Sequence, residues 1–483
     1  MSQNKEFYME VLQNAPANIS AGLSLVKILI DEHNFKHAFN VLTDLWNNTH
    51  NPEIGTLLSQ VAQKLINDYE IDSKQNDQTV ARIVSLVKSA LNNKISVDAL
   101  QYNIIGGLAL DALTLIPIFE NFKHKLENKL PVFFSGDSAN PALVEMISRK
   151  LPVFKIDNFP KNIPFSSFDW AEYRYNFNSG FASEMFGKYA DLVSDIVEFQ
   201  PSTCADIYID DNERNELNNS TDPLLDFNSE ENNKGEDFLR NVVKIPDDGW
   251  YVCIYTRDAG YYNENEQSSN AFRNADINQM IPAIEEIISR GGYVIRVGSK
   301  TISKLNYYHP HVFDYSTSIY IDPLLDIYLI AKARFLIGTP SGYTHVALPF
   351  RTPQLLVNAV NCFGGKCDLW IPKKMIDTNT NLPVKFSDFM NRYYSLNDLG
   401  AVAENGINQD RLLNVRYVDN TSDEILSATK EMFDRMEKQQ DIDSDVENIR
   451  NNFKPEWLKW DRPADYLNIA SCFIRDNKEY FTI

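Results

Sequence analysis

Apolar residues recur at every third or fourth position through much of the first 125 residues of the chain. The pattern is clearest in residues 20–46 and 56–69. Spacing of this kind places the apolar side chains along one face of a helix. The sequence therefore predicts helix after helix in this region, with no run long enough and apolar enough to cross a membrane.

Residues 33–46, HNFKHAFNVLTDLW, look like the second half of a helical hairpin of tetratricopeptide type. We therefore expect residues 1–125 to form an all-α, helical-repeat-like domain. Such a domain could contact a protein or acceptor, or it could simply support the domain that follows it. Simple support is the favoured interpretation.

The pattern changes at residues 129–156, where a short apolar strand ends at Ser135, Gly136 and Asp137. An amphipathic segment and a second apolar run follow, which is a β-α-β pattern. We expect residues 126–240 to form an amino-terminal Rossmann-like domain. Within it, residues 206–237 are polar and acidic, and this composition predicts an exposed loop.

A second series of strands and helices occupies residues 241–420. A strand over residues 251–255 is followed by Thr256, Arg257 and Asp258. Further along, a helix begins near Asp276, a buried strand ends at Arg296, and strands and helices continue to alternate. The regular alternation predicts an α/β fold with a doubly wound parallel sheet, and its polar clusters all follow the carboxyl ends of strands.

The turn after one of these strands contains Gly338, Thr339, Ser341 and Gly342 and precedes a segment that could open a helix. Unpaired N–H groups at a helix amino terminus, together with the hydroxyls, could bind a phosphate. The alternative is an ordinary strand-to-helix connection in which a Ser or Thr caps the helix.

Two arginines, Arg257 and Arg296, are expected to reach the same edge of the sheet as this turn. Guanidinium groups match a diphosphate in charge and geometry. Each arginine could instead form an ion pair with a carboxylate such as Asp258 or Asp276. The clustering of both arginines with the glycine-rich turn favours a diphosphate site.

Several motifs in residues 130–380 resemble, in order and spacing, a family of bacterial glycosyltransferases. That family has motifs close to H-V-R-D-S, R-N-A-D-I, I-R-M-G and F-G-T-S-S-G. The corresponding segments here are VCIYTRDAGYY, FRNADINQMIPAIEEIISRGGYVIRVGS, FDYST, ARFLIGTPSG and PQLLVN, with SGDSANPAL nearer the amino terminus. The resemblance implies a GT-B fold, which is a pair of Rossmann-like domains. It also implies a relationship to the O-fucosyltransferase-like enzymes. Some members of the family carry helical repeats ahead of the catalytic part.

The resemblance also implies that the carboxyl-terminal sheet holds a nucleotide-sugar donor, such as a GDP- or UDP-sugar, and the amino-terminal sheet holds the acceptor. The donor-binding residues carried over by position are Arg257, Arg273, Asn274, Asp276, Arg296, Gly298, Gly338, Thr339, Ser341 and Gly342.

Two histidines of the family's motifs are replaced in this chain. Tyr255 corresponds to the histidine before Val-Arg-Asp, and Asp137 stands where the amino-terminal turn often has histidine. Glycosyl transfer to a hydroxyl needs a base. We therefore expect Asp258 and Asp137 to be the catalytic carboxylates, although Asp258 could instead orient Arg257.

The net charge of the chain excludes some classes of binding partner, and its cysteine content indicates where in the cell it is found. The 483 residues carry a formal net charge of −20, which argues against nucleic acid or an anionic membrane as a general partner. The five cysteines form no CxxC pair, and the amino terminus has no signal-peptide pattern. These features predict a cytoplasmic protein.

Metal binding is not expected from the sequence. The Asp-x-Asp strings lie at residues 441–445, in a polar segment typical of a solvated surface. After them the chain is amphipathic and aromatic, and we expect residues 421–483 to form carboxyl-terminal helices that pack back on the α/β domains.

Together these features predict a metal-independent glycosyltransferase that moves a sugar from a nucleotide-sugar donor to a glycan or a protein. One alternative is a non-catalytic binding or scaffold protein with a degenerate glycosyltransferase fold. Another is a nucleotide-sugar epimerase or hydrolase on the same fold, which would turn over its substrate without an acceptor.

Overall fold

The structure is a computed structural model, and its chain divides into two compact units, residues 1–210 and 211–483. The residues it describes are 2–49, 51, 53–58, 60–61, 95–99, 105–121, 130–135, 138–151, 153–155, 222–260, 271–298, 301–360, 369–388, 414–437, 444–452 and 468–481.

The first unit begins with the predicted helices, α1 (Ser2–Asn14), α2 (Ile19–Asp31) and α3 (Phe35–Thr49). Asn18 caps α2 by accepting a hydrogen bond from the Ala21 N–H. Helices α2 and α3 pack closely, since a Cβ on Gly22 would lie 2.2 Å from a Leu45 methyl carbon. The helical hairpin over residues 20–46 is thus confirmed, while its tetratricopeptide character stays a prediction.

A three-stranded parallel sheet completes the described part of the first unit, in the order β1-β2-β3. Its elements are β1 (Ile95–Ala99), α4 (Ile105–Asn121), β2 (Leu130–Ser135), α5 (Pro141–Ser148) and β3 (Val153–Lys155). The β-α-β pattern predicted over 129–156 is confirmed. The prediction of helix throughout residues 1–125 is wrong at β1, because the sequence ISVDA alternates apolar and polar residues with the period of a strand.

The second unit contains six parallel strands in the order β6-β5-β4-β7-β8-β9. These strands are β4 (Tyr251–Tyr255), β5 (Tyr293–Arg296), β6 (Val312–Asp314), β7 (Leu336–Gly338), β8 (Gln354–Ala359) and β9 (Leu369–Pro372). The chain first builds the sheet outward from β4 on one side and then continues from β7 on the other. The predicted α/β fold with a doubly wound parallel sheet is confirmed for this unit.

The crossover helices that follow β4, β6 and β7 are α7 (Ile281–Ser289), α8 (Pro323–Ala331) and α9 (Gly342–Val346). Because parallel crossovers are right-handed, the change of direction between β6 and β7 places α7 and α8 on opposite faces of the sheet. Gly291, at φ 82°, ends α7 in the left-handed conformation that favours glycine. Asp322 caps α8 through the Leu324 and Leu325 N–H groups.

A helix, α6 (Ser229–Phe238), begins inside the segment 206–237 that was predicted to be an acidic loop and ends one residue beyond it. The loop prediction is therefore wrong over this part. Asn228 and Glu231 form a capping box at the start of α6, which stabilises a helix in spite of its polar composition. The helix approaches α8 closely, since a Cβ on Gly235 would lie 2.3 Å from the Tyr328 ring.

The described part of the carboxyl-terminal tail packs on the sheet of the second unit. Helix α10 (Ser422–Met436) lies against α7 and against strands β8 and β9. A short parallel bridge joins Trp370 to Ile469 ahead of α12 (Ser471–Asp476) and α13 (Lys478–Phe481). The remaining described elements are the antiparallel pair β10 (Lys374–Asp377) and β11 (Val415–Val418), and helix α11 (Ser444–Asn452). Within the described ranges, no helix is long and apolar enough to cross a membrane.

Candidate functional site

The two central strands of the second unit's sheet, β4 and β7, pair with Tyr255 opposite Gly338. Successive strands are added in opposite directions from this pair, so a crevice is expected outside the carboxyl ends of β4 and β7. The two loops that leave this edge are joined directly, because the Arg257 N–H donates to the Thr339 hydroxyl over 2.8 Å and the Thr339 N–H donates to the Tyr255 carbonyl over 3.2 Å. The site begins at this junction.

The Arg257 side chain lies at the junction and is only 6% exposed. Its guanidinium donates a hydrogen bond to the Asn274 side-chain oxygen, and its carbonyl accepts one from the Ala275 N–H at 3.1 Å. An ion pair with Asp258 or Asp276 was the alternative considered from sequence. One hydrogen-bond partner of the guanidinium is thus the neutral Asn274 amide, which helps to orient it.

A second arginine joins the same loops. Arg273 donates through Nη2 to the Pro340 carbonyl at 2.9 Å. Residues 271–276 are therefore held to both sides of the junction, through Asn274 to Arg257 and through Arg273 to Pro340. The sequence placed Arg257, Arg273, Asn274 and Thr339 in one site, and the structure brings these four residues together.

Thr256, between Tyr255 and Arg257, is 3% exposed. Its hydroxyl has no hydrogen-bond partner among the residues that the structure describes. A buried hydroxyl with no partner is uncommon in folded proteins and is a reason to look for a ligand group nearby. Sequence reasoning named Thr256 only as the residue before Arg257.

Asp258 accepts backbone hydrogen bonds through both carboxylate oxygens. One oxygen accepts from the Gly260 N–H at 2.9 Å, and the other accepts from the N–H groups of Ile302 and Ser303 at 2.9 and 3.0 Å. The side chain thereby ties the loop after β4 to the loop after β5. It does not contact Arg257 through any of these bonds.

Arg296 is more deeply buried than Arg257, at 1% exposed. Its guanidinium donates to Asp314 at 3.0 Å and to the Ser303 carbonyl at 2.7 Å. Arg296 therefore forms an ion pair, which was the alternative to phosphate binding, and its partner is Asp314 and not Asp258 or Asp276. Gly298 lies two residues further on at φ 127°, and a Cβ there would be 3.2 Å from the Tyr255 ring.

The turn 338–342 leads into α9, which is only five residues long. The Ser341 N–H donates to the Thr344 hydroxyl at 3.0 Å, and that hydroxyl donates to the Ser341 carbonyl at 2.8 Å. The helix start thus satisfies part of its own hydrogen-bonding capacity. A Cβ on Gly338 would lie 3.0 Å from the Thr344 methyl carbon, so Thr344 would have to shift to admit it. The bonds above use the Ser341 backbone, whereas the buried Ser341 hydroxyl has no hydrogen-bond partner among the described residues. The capped connection and the phosphate site both stay predictions, and Gly342 is the first residue of α9.

The other predicted acidic residues differ in their placement. Asp276 is exposed and caps the 3-10 turn Ile277–Met280, accepting from the Asn278 N–H at 2.9 Å. Its place is structural and lies at the edge of the site. Asp137 lies outside the described residues.

Lys373, which sequence reasoning missed, also reaches the site. It directly follows β9, and its side chain is 3% exposed. Its ammonium donates to the Asn274 carbonyl at 2.8 Å and pairs with Asp419 at 2.7 Å. Burial lowers the pKa of Lys373, while Asp419 opposes that change. In sequence Lys373 is one of two adjacent lysines, and nothing there distinguishes it from Lys374.

Two tyrosines, Tyr255 and Tyr343, pack against each other next to the junction. Tyr255 stacks on Tyr343 with ring centroids 5.1 Å apart, and burial raises the pKa of Tyr255 to about 12. Asp326, on α8, is a buried carboxyl group close to Tyr343 and is 9% exposed. Burial raises the pKa of Asp326 to about 6, and hydrogen bonds with Tyr315 and Tyr343 oppose the shift. The carboxyl group on the neighbouring turn of α8, Asp322, raises it further.

We predict that Asp326→Asn stabilises the protein at neutral pH. The folded-state pKa lies above the unfolded value of 3.8, so the wild-type carboxyl lowers stability progressively as the pH rises from about 4 to about 6. Asparagine has nearly the same shape and carries no charge, and the variant should gain about 3 kcal/mol at pH 7.5 and nothing below pH 4. Thermal unfolding of both proteins between pH 4 and 8 measures this difference. Asp248→Asn, at an exposed position, controls for the loss of one negative charge, and a gain that is constant with pH would contradict the prediction.

No protein-family model and no curated protein matches the sequence. Comparison with solved structures gives similarity to glycosyltransferases. One is a family 9 glycosyltransferase from Veillonella parvula, with a TM-score of 0.36 and 11% identity, covering 70% of this chain and 96% of that one. Another is the E. coli heptosyltransferase WaaC, with a TM-score of 0.26 and 12% identity, covering 55% of this chain and 88% of that one. A third is the glycosyltransferase TibC from enterotoxigenic E. coli, with a TM-score of 0.25 and 14% identity, covering 54% of this chain and 57% of that one. All three TM-scores lie below 0.5, so the proposal below is built on the residues of this chain.

Proposed function

We propose that the protein is a glycosyltransferase whose nucleotide-sugar donor binds at the junction of β4 and β7 through its diphosphate. The donor is expected to be a GDP- or UDP-sugar and the acceptor a glycan or a protein. By the resemblance of the sequence motifs, a GT-B enzyme of this kind holds its acceptor on the first α/β domain, and the helical region is a further surface for the acceptor.

The observation that carries the proposal is the arrangement around Arg257. Its guanidinium is buried at the point where the order of strands reverses, and it donates a hydrogen bond to the Asn274 side-chain oxygen. Arg273 anchors the same loop, and Thr256, whose hydroxyl has no hydrogen-bond partner within the described ranges, precedes Arg257 in the chain. Cationic forks and a hydroxyl donor are the groups that bind phosphate oxygens in proteins.

Sugar transfer breaks the bond between the anomeric carbon and the diphosphate oxygen and forms a bond from that carbon to an acceptor oxygen. The electron pair of the broken bond stays on the diphosphate, and the acceptor loses a proton to a base. A fixed positive charge at the leaving diphosphate stabilises the transition state more than the ground state, because negative charge grows there during the reaction. Arg257 is the residue we assign to this role.

The base is a separate assignment. Asp258 is an unsuitable base, since three backbone N–H groups already bind its two oxygens. We propose that Asp258 orders the loops after β4 and β5. Asp137, at the carboxyl end of β2 in the sequence, is then the candidate that accepts the acceptor's proton.

A binding or scaffold function is the second candidate, and a specific observation favours it. Arg296 is engaged by Asp314 and by the Ser303 carbonyl. One feature that the sequence assigned to phosphate binding is thus satisfied within the protein. A scaffold would retain the fold and bind no nucleotide.

Calorimetric titration with GDP, UDP, ADP, CMP and their common sugar conjugates tests the proposal, first without metal and then with magnesium. We expect one nucleoside diphosphate to bind selectively and to need no metal. Turnover of the sugar conjugate without an acceptor would favour an epimerase or hydrolase. A folded sample that binds none of these compounds would favour the scaffold.

A further inference from the structure

We propose that Lys373 and Asp419 are positioning residues that hold Arg257 in place through Asn274. This inference rests on the proposed function, because it concerns the orientation of the arginine that we assign to the diphosphate. Neither residue belongs to the motifs that suggested the function.

The first step of the argument is the burial of Lys373. Its ammonium is nearly inaccessible to water, whereas its partner Asp419 is 42% exposed. Taking a cation out of water costs several kcal/mol unless paired charge and hydrogen bonds compensate for it. The contacts that compensate here are Asp419 and the Asn274 carbonyl. A lysine placed only for stability would more commonly leave its charged end in water.

The second step is the geometry of Asn274, which is held at both ends. Its backbone carbonyl accepts from Lys373, and its side-chain oxygen accepts from the Arg257 guanidinium. The path from Asp419 to Arg257 therefore runs through Lys373 and one residue of the 271–276 loop. Moving the Asn274 backbone would move the acceptor that orients Arg257.

The third step is the attachment of residues 417–422 to the sheet edge. Asn358 and Asn420 exchange hydrogen bonds of 2.6 and 2.7 Å, and the Asn420 amide also donates to the Pro372 carbonyl at 2.8 Å. Both asparagines are buried. Asp419 is therefore presented from a fixed segment, adjacent to a residue anchored at the ends of β8 and β9.

The same segment contacts the loop that carries Asn274. Tyr417 stacks on Phe272 with ring centroids 5.3 Å apart, and the Ser422 hydroxyl donates to Gln279 at 2.6 Å. Asp419, the partner of Lys373, lies between Tyr417 and Ser422 in sequence. The whole arrangement fixes residues 272–279 against the sheet edge.

Hydrogen exchange in the full-length protein without ligand tests the positioning step. Lys373→Met should speed exchange in peptides covering residues 271–280 about tenfold or more, because the loop loses a buried contact. Lys374→Met is the matched control. Lys374 pairs with Glu424 at 2.6 Å, and among the described residues it forms no hydrogen bond with Asn274. Asp419→Asn weakens the same ion pair from its exposed side and should give a smaller increase, which keeps the test available if Lys373→Met does not fold. Unchanged exchange in both variants would overturn the proposal.

Nucleotide affinity tests the consequence for Arg257. Lys373→Met should weaken binding of the nucleoside diphosphate that the wild-type protein selects by about tenfold, with Lys373→Arg restoring part of it. In an Arg257→Ala background, Lys373→Met should cause no further loss, because it acts through that arginine. A further loss of equal size in that background would overturn the proposal. Accelerated exchange in a protein that binds no nucleotide would leave the positioning intact and remove the proposed glycosyltransferase.

Discussion

Arg257→Ala is expected to weaken nucleoside diphosphate binding by roughly 100-fold. A guanidinium that donates two hydrogen bonds to a diphosphate contributes about 3 kcal/mol, and each ~1.4 kcal/mol corresponds to a tenfold change in affinity. Arg257→Lys keeps the charge and loses the planar fork, so its loss should be intermediate. Calorimetry with the nucleotide selected by the wild-type protein measures all three affinities.

Arg290→Ala is the matched control for this prediction. Arg290 follows α7 at the opposite edge of the sheet and pairs with Glu286 at 2.8 Å. It should leave nucleotide affinity unchanged. Arg257 is buried, so circular dichroism and thermal unfolding must first show that the alanine variant is folded. A folded Arg257→Ala protein with wild-type affinity would remove this residue from the site.

Phe433→Ala is expected to lower the free energy of unfolding by about 3–5 kcal/mol, the usual cost of truncating a buried phenylalanine. Phe433 is fully buried on α10, where its ring meets Phe335 at 5.1 Å and Trp250 at 5.8 Å. The guanidinium of Arg290 also lies over this ring, 4.5 Å from its centroid. Truncation removes the ring contacts of α10 with Trp250 and Phe335, which directly precede β4 and β7.

Urea denaturation followed by tryptophan fluorescence measures the change. Lys430→Ala, at an exposed position one turn earlier on the same helix, should change stability by no more than about 0.5 kcal/mol. Similar small losses from both variants would show that α10 adds little to the stability of the second unit.

The elements of the second unit were largely predictable from sequence because their signals are local. Apolar runs of strand length, the cap at Asp322 and the left-handed glycine at residue 291 each appear as short patterns. The failures also have local causes. The strand at residues 95–99 is only five residues long and lies in a region whose pattern otherwise predicts helices. The helix at residues 229–238 depends on a capping box within an acidic segment whose composition predicts a loop.

The site was predictable in part. The sequence pattern placed Arg257 and Thr339 together, because the carboxyl ends of neighbouring parallel strands meet at one edge. Arg273 and Asn274 were added by the resemblance of the motifs to the glycosyltransferase family. The sequence could not decide which carboxylate pairs with which arginine. Arg296 pairs with Asp314, which is carried by the neighbouring strand β6, and that choice depends on strand order.

The sequence by itself determined the alternation of strands and helices in the second unit and the edge of the sheet where its polar residues gather. The tertiary structure decided which partners those residues have within the protein. Asp258 and Arg296 are engaged by loops and strands distant in sequence, and Lys373 reaches Asn274 across 99 positions. Local propensity cannot specify such pairs, because they form only when strand order brings separate segments to one edge.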